Sequence, residues 1–337
     1  MRPFLYEHPN DAVAAVKAFG AARAGSQRAA QYLAGGTTLL DLMKLDVMRP
    51  DVVIDINALR GSNLGKIDVN DQGLRLGALA AMAEAADHDA VKRDYPVVAQ
   101  ALKLAASAQL RNMATLGGNV LQRTRCPYFR DTSYHECNKR NPGSGCAALD
   151  GFNRMHAVLG ASDQCIATYP GDFAQALIAL DTVVEVNGPN GVRKFPFAEL
   201  HRAPGDSPNI ENTLAAGEMI AAFTVPAGAW TRRSLYLKIR DRESYEFALA
   251  SAAIALDLDG GTVRDARIAL GGVATVPWRA KEAEALLKGK RIDDKTANDA
   301  ADAAFADARP HEHNAFKVAL GKRTLVRALK AAAMMEI

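Results

Sequence analysis

Hydrophobic and polar positions follow two periods along this chain. Residues 3–6 read as a short strand, and Asn10 to Ala22 read as a helix with Ala12, Val13, Val16 and Phe19 on one face and Gly20 as its close. A second strand, Ala30 to Leu33, runs into Gly35 and Gly36. Leu39, Leu40, Leu42 and Met43 then sketch an amphipathic helix that ends before Pro50, and Val52 to Ile56 form the next strand. This order predicts a small α/β lobe, too small alone to hold a dinucleotide-sized ligand.

The stretch from Gly61 to Leu79, with Leu74 and Leu76 alternating between turn glycines, predicts β-structure, followed by helices over Ala81 to Asp87 and Tyr95 to Leu110. An aperiodic segment intervenes before a helix at Phe173 to Leu180 and a strand at Val183 to Val186. From Thr231 three strands are predicted, near Leu235 to Arg240, Leu249 to Leu258 and Val263 to Gly271, and alanine-rich helices run to the C-terminus. The fold class is therefore α+β: a small α/β N-terminal lobe over residues 1–58, a larger α+β lobe over 59–228 interrupted at about 121–168, and a C-terminal domain of a three-stranded β-meander and helices over 229–337.

The 337 residues are 49% hydrophobic and 23% charged, a globular composition, and the net charge of +3 comes from 41 basic residues scattered among 38 acidic ones. No basic stripe tracks a phosphate backbone, which argues against a nucleic-acid partner. No apolar run approaches the roughly 20 residues of a membrane span. The N-terminal sequence has an acid and a proline within ten residues and lacks the apolar core of a secretory signal. Synthesis and assembly in the cytoplasm are expected, and export to the periplasm would need a partner that carries the signal.

Two glycine-rich turns carry candidate chemistry. In YLAGGTTLL, Gly35 and Gly36 precede Thr37 and Thr38 at a helix start, where free amides and the positive dipole end suit a diphosphate. The turn lacks the spacing of a Rossmann fingerprint and the lysine of a P-loop, and an ordinary structural turn is the alternative. In ATLGGNV, Thr115, Gly117, Gly118 and Asn119 fall in one short turn whose small residues admit a ring system or a ribityl chain against the backbone.

All four cysteines, Cys126, Cys137, Cys146 and Cys165, lie within 40 consecutive residues, separated by ten, eight and eighteen residues. A long aperiodic loop in a compact domain needs something to tie it down. Disulfides are one reading, disfavoured for a chain that begins in the cytoplasm. A zinc site is another, with His135 and His156 as substitute ligands, but the usual close cysteine pair is absent. A [4Fe–4S] cluster, which takes one thiolate at each of four corners, fits the wide spacing better. Arg123, Arg125, Arg130, Lys139, Arg140 and Arg154 would offset an anionic cluster, unless they form a merely solvated basic loop.

Together the two turns resemble the FAD-binding signatures of the flavin domain shared by xanthine dehydrogenase, carbon monoxide dehydrogenase and bacterial aldehyde oxidoreductases. The resemblance continues through PGDFAQALIALDTVVEV, LYLKIRDRESYEFALASAAIAL and RIALGGVATVPWRA, so it covers Phe4 to about Arg327. It implies that Ala34, Gly35, Gly36, Thr37 and Thr38 hold the FAD pyrophosphate, that Thr115, Gly117, Gly118 and Asn119 contact the ribityl and pyrophosphate region, and that Asp172 and Lys238 orient the flavin end, with Arg242 on the following turn. Without it, Asp172 reads as a helix N-cap and Lys238 as a solvated strand residue.

The interrupting segment, RTRCPYFRDTSYHECNKRNPGSGCAALDG, resembles the cluster-carrying subgroup of periplasmic aldehyde oxidoreductase and 4-hydroxybenzoyl-CoA reductase, and is closer to the former. That likeness makes all four cysteines cluster ligands. It implies an oxidoreductase subunit without substrate chemistry of its own: a large partner carrying molybdopterin oxidises an aldehyde, a small partner carries [2Fe–2S] clusters, and FAD in this chain of the heterotrimer passes electrons to an acceptor. A stand-alone FAD-dependent oxidase and a non-redox, zinc-stapled scaffold are the competing expectations.

Overall fold

The computed structural model describes residues 1–26 and 29–337. The first lobe is built from β1 (Leu5–Glu7), α1 (Ala12–Ser26), β2 (Ala30–Leu33), α2 (Leu39–Lys44) and β3 (Val52–Asp55). Its sheet is parallel, in the order β1-β3-β2, with Leu5 opposite Val52 and Tyr32 opposite Ile54. β3 is central and buried on both faces, which is why Val52, Val53 and Ile54 form an unbroken apolar run. Gly20 does not close α1 as its position suggested. A side chain there would meet nothing within 4 Å, and the alanines beyond it carry the helix on to Ser26.

The second unit comprises β4 (Ile67–Asn70), β5 (Gly73–Gly77), α3 (Met82–Asp87), α4 (Asp89–Asp94), α5 (Pro96–Leu104), α6 (Ala108–Met113), α7 (Leu116–Val120), α8 (Pro127–Arg130), α9 (Phe173–Ala179), β6 (Val183–Gly188), β7 (Gly191–Pro196) and β8 (Met219–Pro226). Its antiparallel sheet runs β4-β5-β8-β6-β7, so β5 pairs with a strand some 150 residues later, Leu76 opposite Phe223. The helix expected over Tyr95 to Leu110 is two helices. Ala106 takes a left-handed φ of 50°, and Ser107 then caps α6 by accepting from the Leu110 amide. Between α8 and α9 the chain has no further helix or long strand among the described residues.

The third unit is a four-stranded meander, β9 (Ser234–Ile239), β10 (Ala250–Asp259), β11 (Thr262–Gly271) and β12 (Trp278–Arg279), followed by α10 (Lys281–Leu287), α11 (Asp294–Ala304) and α12 (Phe316–Ala333). The short β12 adds a strand to the three expected. In β10 the two-residue side-chain period feeds two cores: Ala252, Ile254 and Leu256 pack with Leu325 and Leu329, while Ala253 and Ala255 join Leu177, Phe173 and Tyr236. Both faces being covered, the stretch from Ala252 to Leu256 reads as continuously apolar. No described helix is long and apolar enough to cross a membrane.

Candidate functional site

A cavity of about 710 Å³ lies where segments following all three sheets converge. Its lining includes Thr37 and Thr38 from the first lobe, Asn119 and Asp172 from the second, Thr124, Arg125 and Cys126 from the cysteine segment, and Arg242 and Tyr245 to Ala248 from the β9–β10 loop. That volume falls within the range of small-molecule and cofactor sites.

The first glycine turn leads β2 into α2. Gly36 adopts φ +72°, a conformation costly to any residue with a Cβ. A Cβ on Gly35 would stand 1.9 Å from the Met113 carbonyl oxygen. Gly35 therefore lets the first turn pack directly on the backbone that introduces the second. The amides of Gly36, Thr37 and Thr38 have no backbone acceptor among the described residues. Thr37 and Thr38 line the cavity, whereas Ala34, Gly35 and Gly36, which precede them in the turn, are not among its lining residues.

Of Thr115, Gly117, Gly118 and Asn119 in the second turn, Asn119 alone lines the cavity, together with Ala114 at the start of that turn. Thr115 is buried and caps α7, accepting from the Gly118 amide at 3.3 Å. Gly117 packs on Ala78, whose Cβ would lie 3.0 Å from an added Cβ. Gly118 is exposed. The turn thus serves chiefly to bring Asn119 to the wall, where its Oδ1 is buried without a partner among the described residues.

Asp172 and Lys238 are brought together. Lys238 Nζ donates to Asp172 Oδ2 at 2.7 Å and to the Leu104 carbonyl at 3.0 Å, and the two side chains are 1% and 5% exposed. Tyr236 donates to Asp172 Oδ1 at 2.7 Å and is also hydrogen bonded to Ser251 at 2.8 Å. Asp172 stands at the N-cap position of α9, but its side chain makes no cap bond and is turned to Lys238, which is buried and not solvated. Burial pushes the Asp172 carboxyl up, with Lys238 and Tyr236 acting against it. Asp172 lines the cavity, and Lys238 lies behind it.

Arg125, Arg130 and Asp41 are cavity residues that the turns did not announce. Both arginines pair with the single Asp41 carboxylate, at 3.4 Å and 2.7 Å, which leaves one positive charge in excess on this wall. Arg125 Nε is buried without a partner among the described residues, and burial together with Arg130 pushes its guanidinium down. A buried orphan donor, surplus positive charge and free amides on the adjoining turn suit a diphosphate. No local signal marks Asp41 for this wall, because the arginines that meet it are 84 and 89 residues distant.

All four cysteines are free and line one small second cavity, with Tyr128, Phe129, Lys139 and Gln164 among its other walls. Cys137 and Cys146 face each other across a short bridge made by Asn138 donating to Gly145 and Ala147 donating to Glu136. Burial pushes the Cys126 thiol up to about 12 and the Cys165 thiol to about 11, with neighbouring cysteines adding to both. Such thiols stay protonated at neutral pH unless a metal takes the proton's place. Among the described residues no group of three or more His, Cys, Asp or Glu is placed to hold a metal ion.

The basic residues of this segment do not form a solvated loop, nor are they directed at the thiols. Arg123 and Lys139 both pair with the half-buried Glu211, Arg154 pairs with Asp241, and Arg140 donates to the carbonyls of Tyr128, Phe129 and Tyr134. They are spent on fastening the segment; only Lys139 lowers a neighbouring thiol, Cys165, against the effect of burial. Leu42 of α2 packs with Phe129 and Cys137 and seats the segment on the first lobe.

Residues 2–228 match the family described as the FAD binding domain in molybdopterin dehydrogenase, and residues 235–332 match the CO dehydrogenase flavoprotein C-terminal domain. The chain is 48% identical over 334 residues to the aldehyde oxidoreductase FAD-binding subunit PaoB of Escherichia coli strain K12, spanning 98% of this chain and 99% of that one. It is 28% identical over 333 residues to the carbon monoxide dehydrogenase medium chain of Hydrogenophaga pseudoflava, spanning 98% and 96%. A solved structure of carbon monoxide dehydrogenase from that organism has a TM-score of 0.74 to this fold, at 29% identity and over 98% of both chains.

Proposed function

The chain belongs to the FAD-binding family of the molybdopterin dehydrogenases, and from that membership we propose that it is the electron-transfer subunit of a molybdenum-dependent aldehyde oxidoreductase, holding FAD and a [4Fe–4S] cluster. Its partners are a large molybdopterin-binding subunit and a small [2Fe–2S] subunit. The extent of the likeness to the E. coli aldehyde oxidoreductase subunit supports the aldehyde assignment.

Bound FAD supplies chemistry that takes up electrons singly and gives them up singly or in pairs. The residues of this chain bind and position it. The free amides of Gly36, Thr37 and Thr38 with Arg125 suit its diphosphate, while Asn119 and Asp172 offer polar atoms along the walls. Lys238 and Tyr236 fix the Asp172 carboxylate from behind. Nothing on this chain needs to touch the aldehyde.

Cys126, Cys137, Cys146 and Cys165 would hold the cluster. A single zinc ion with bonds of about 2.3 Å would draw its thiolates to within roughly 3.8 Å of one another. A four-iron cube instead takes one thiolate at each of four corners, and what supports that reading is that all four cysteines line one cavity. The observation that supports the reading is that Cys126 lines both the larger cavity and the one the four cysteines share.

Cofactor analysis of the full-length chain, purified without oxygen, tests both halves. One FAD, with four irons and four acid-labile sulfides per chain, is expected. Zinc in place of iron would sink the cluster, and a chain that neither carries nor takes up FAD would sink the function.

A further inference from the structure

Neither cavity alone accounts for His156. Its side chain is buried and lines the larger cavity, while Nε2 stands 3.1 Å from the Sγ of Cys126. The backbone that carries it is pinned from the third unit. Lys317 and Asn314 donate to the His156 carbonyl at 3.0 Å and 3.4 Å, and Lys317 also donates to Met155 O at 3.2 Å. The His156 amide donates to Asn153 at 3.0 Å, and Thr168 donates to Met155 O at 2.8 Å. So many anchors on one short stretch hold the ring against the sulfur.

A thiolate that ligates iron carries no hydrogen, so a bond across this distance has one polarity: the imidazole Nε2–H donates to Sγ. The other nitrogen, Nδ1, then becomes an acceptor, and it is buried without a partner among the described residues. Hydrogen bonds to the sulfurs of an iron–sulfur centre are among the factors that set its reduction potential, because they draw charge from the thiolate and favour the reduced, more negative state.

Resting on the four-iron reading above, we propose that His156 is a positioning residue that raises the reduction potential of the cluster by donating from Nε2 to the Cys126 ligand. Its contact with Cys126, which borders both cavities, gives this one bond leverage over whether electrons settle on the cluster or on the flavin. Of the four thiols, Cys126 is the one bordering the larger cavity, so a donor here acts on the ligand nearest the flavin.

The experiment is a redox titration of the anaerobically purified complex, following the reduced four-iron centre by electron paramagnetic resonance at low temperature. His156→Phe fills the space without a donor and should shift the midpoint to more negative potential. His156→Gln keeps an N–H and should return it toward the wild-type value. Equal midpoints in all three proteins would overturn the proposal. Should His156→Phe fail to fold, the wild-type protein labelled with 15N-histidine decides: a hyperfine coupling between the reduced cluster and a histidine nitrogen, lost in His156→Gln, is expected. A four-iron centre without that coupling overturns the role of His156 alone. A wild-type chain without iron removes the cluster reading itself.

Discussion

Replacing Lys238 with methionine strips the buried Asp172 carboxylate of its only ammonium. The pair is 2.7 Å apart with both side chains at most 5% exposed. Removing one member of such a pair costs about 3–5 kcal/mol, because the survivor stays buried without compensation. Tyr236 still donates to Oδ1, which places the expected loss near ~3 kcal/mol. Burial already pushes Asp172 up against the pull of Lys238 and Tyr236, and without the ammonium the carboxyl is pushed further. A carboxyl whose folded pKa exceeds its unfolded value contributes stability that is complete below the unfolded value and is lost as pH rises through the folded one. The deficit of Lys238→Met should therefore grow as pH rises from about 4. Urea unfolding near pH 5 and near pH 8 measures it. Adding Asp172→Asn should restore part of the loss, with a coupling of about 1–3 kcal/mol in the double-mutant cycle. A deficit under about 1 kcal/mol near pH 8, or a double variant no more stable than Lys238→Met, would refute this reasoning.

Gly35→Ala should separate the two glycine turns, since its Cβ would meet the Met113 carbonyl at 1.9 Å; loss of bound FAD on gel filtration is expected, and a variant that keeps its flavin would show the turns to be independent. Gly36→Ala, at φ +72°, should cost about 1–2 kcal/mol in thermal unfolding. Arg125→Met removes a charged donor and should weaken FAD binding to the stripped chain at least about tenfold, with a shallower salt dependence in a fluorescence titration. Burial lowers Lys317 from 10.5 to about 7, so the unfolded chain binds the extra proton between those values and stability should rise with pH across that window. The rise is on the order of 5 kcal/mol at most and should vanish in Lys317→Met.

The sequence by itself determined the elements and the candidate residues. The run from Ala30 to Leu33 and the three meander strands were legible because side-chain period depends only on near neighbours. The glycine turns stood out because a left-handed residue such as Gly36 is a local demand. Clustering of the cysteines was equally plain, although the fastening role of the arginines around them was not.

What only the tertiary structure decided is which of these residues meet. Asp172 is an N-cap or the centre of a buried pair depending on Tyr236 and Lys238, which lie 64 and 66 residues along the chain. Arg125 and Arg130 are flanking charges in the sequence and cavity walls in the fold, because Asp41 lies a lobe away. Cys126 looks like any of the four cysteines until two cavities are found to share it. Hydrophobic period and backbone conformation are set within a few residues, whereas burial, charge pairing and cavity shape are set by contacts across many tens of residues. Only the folded chain brings those together.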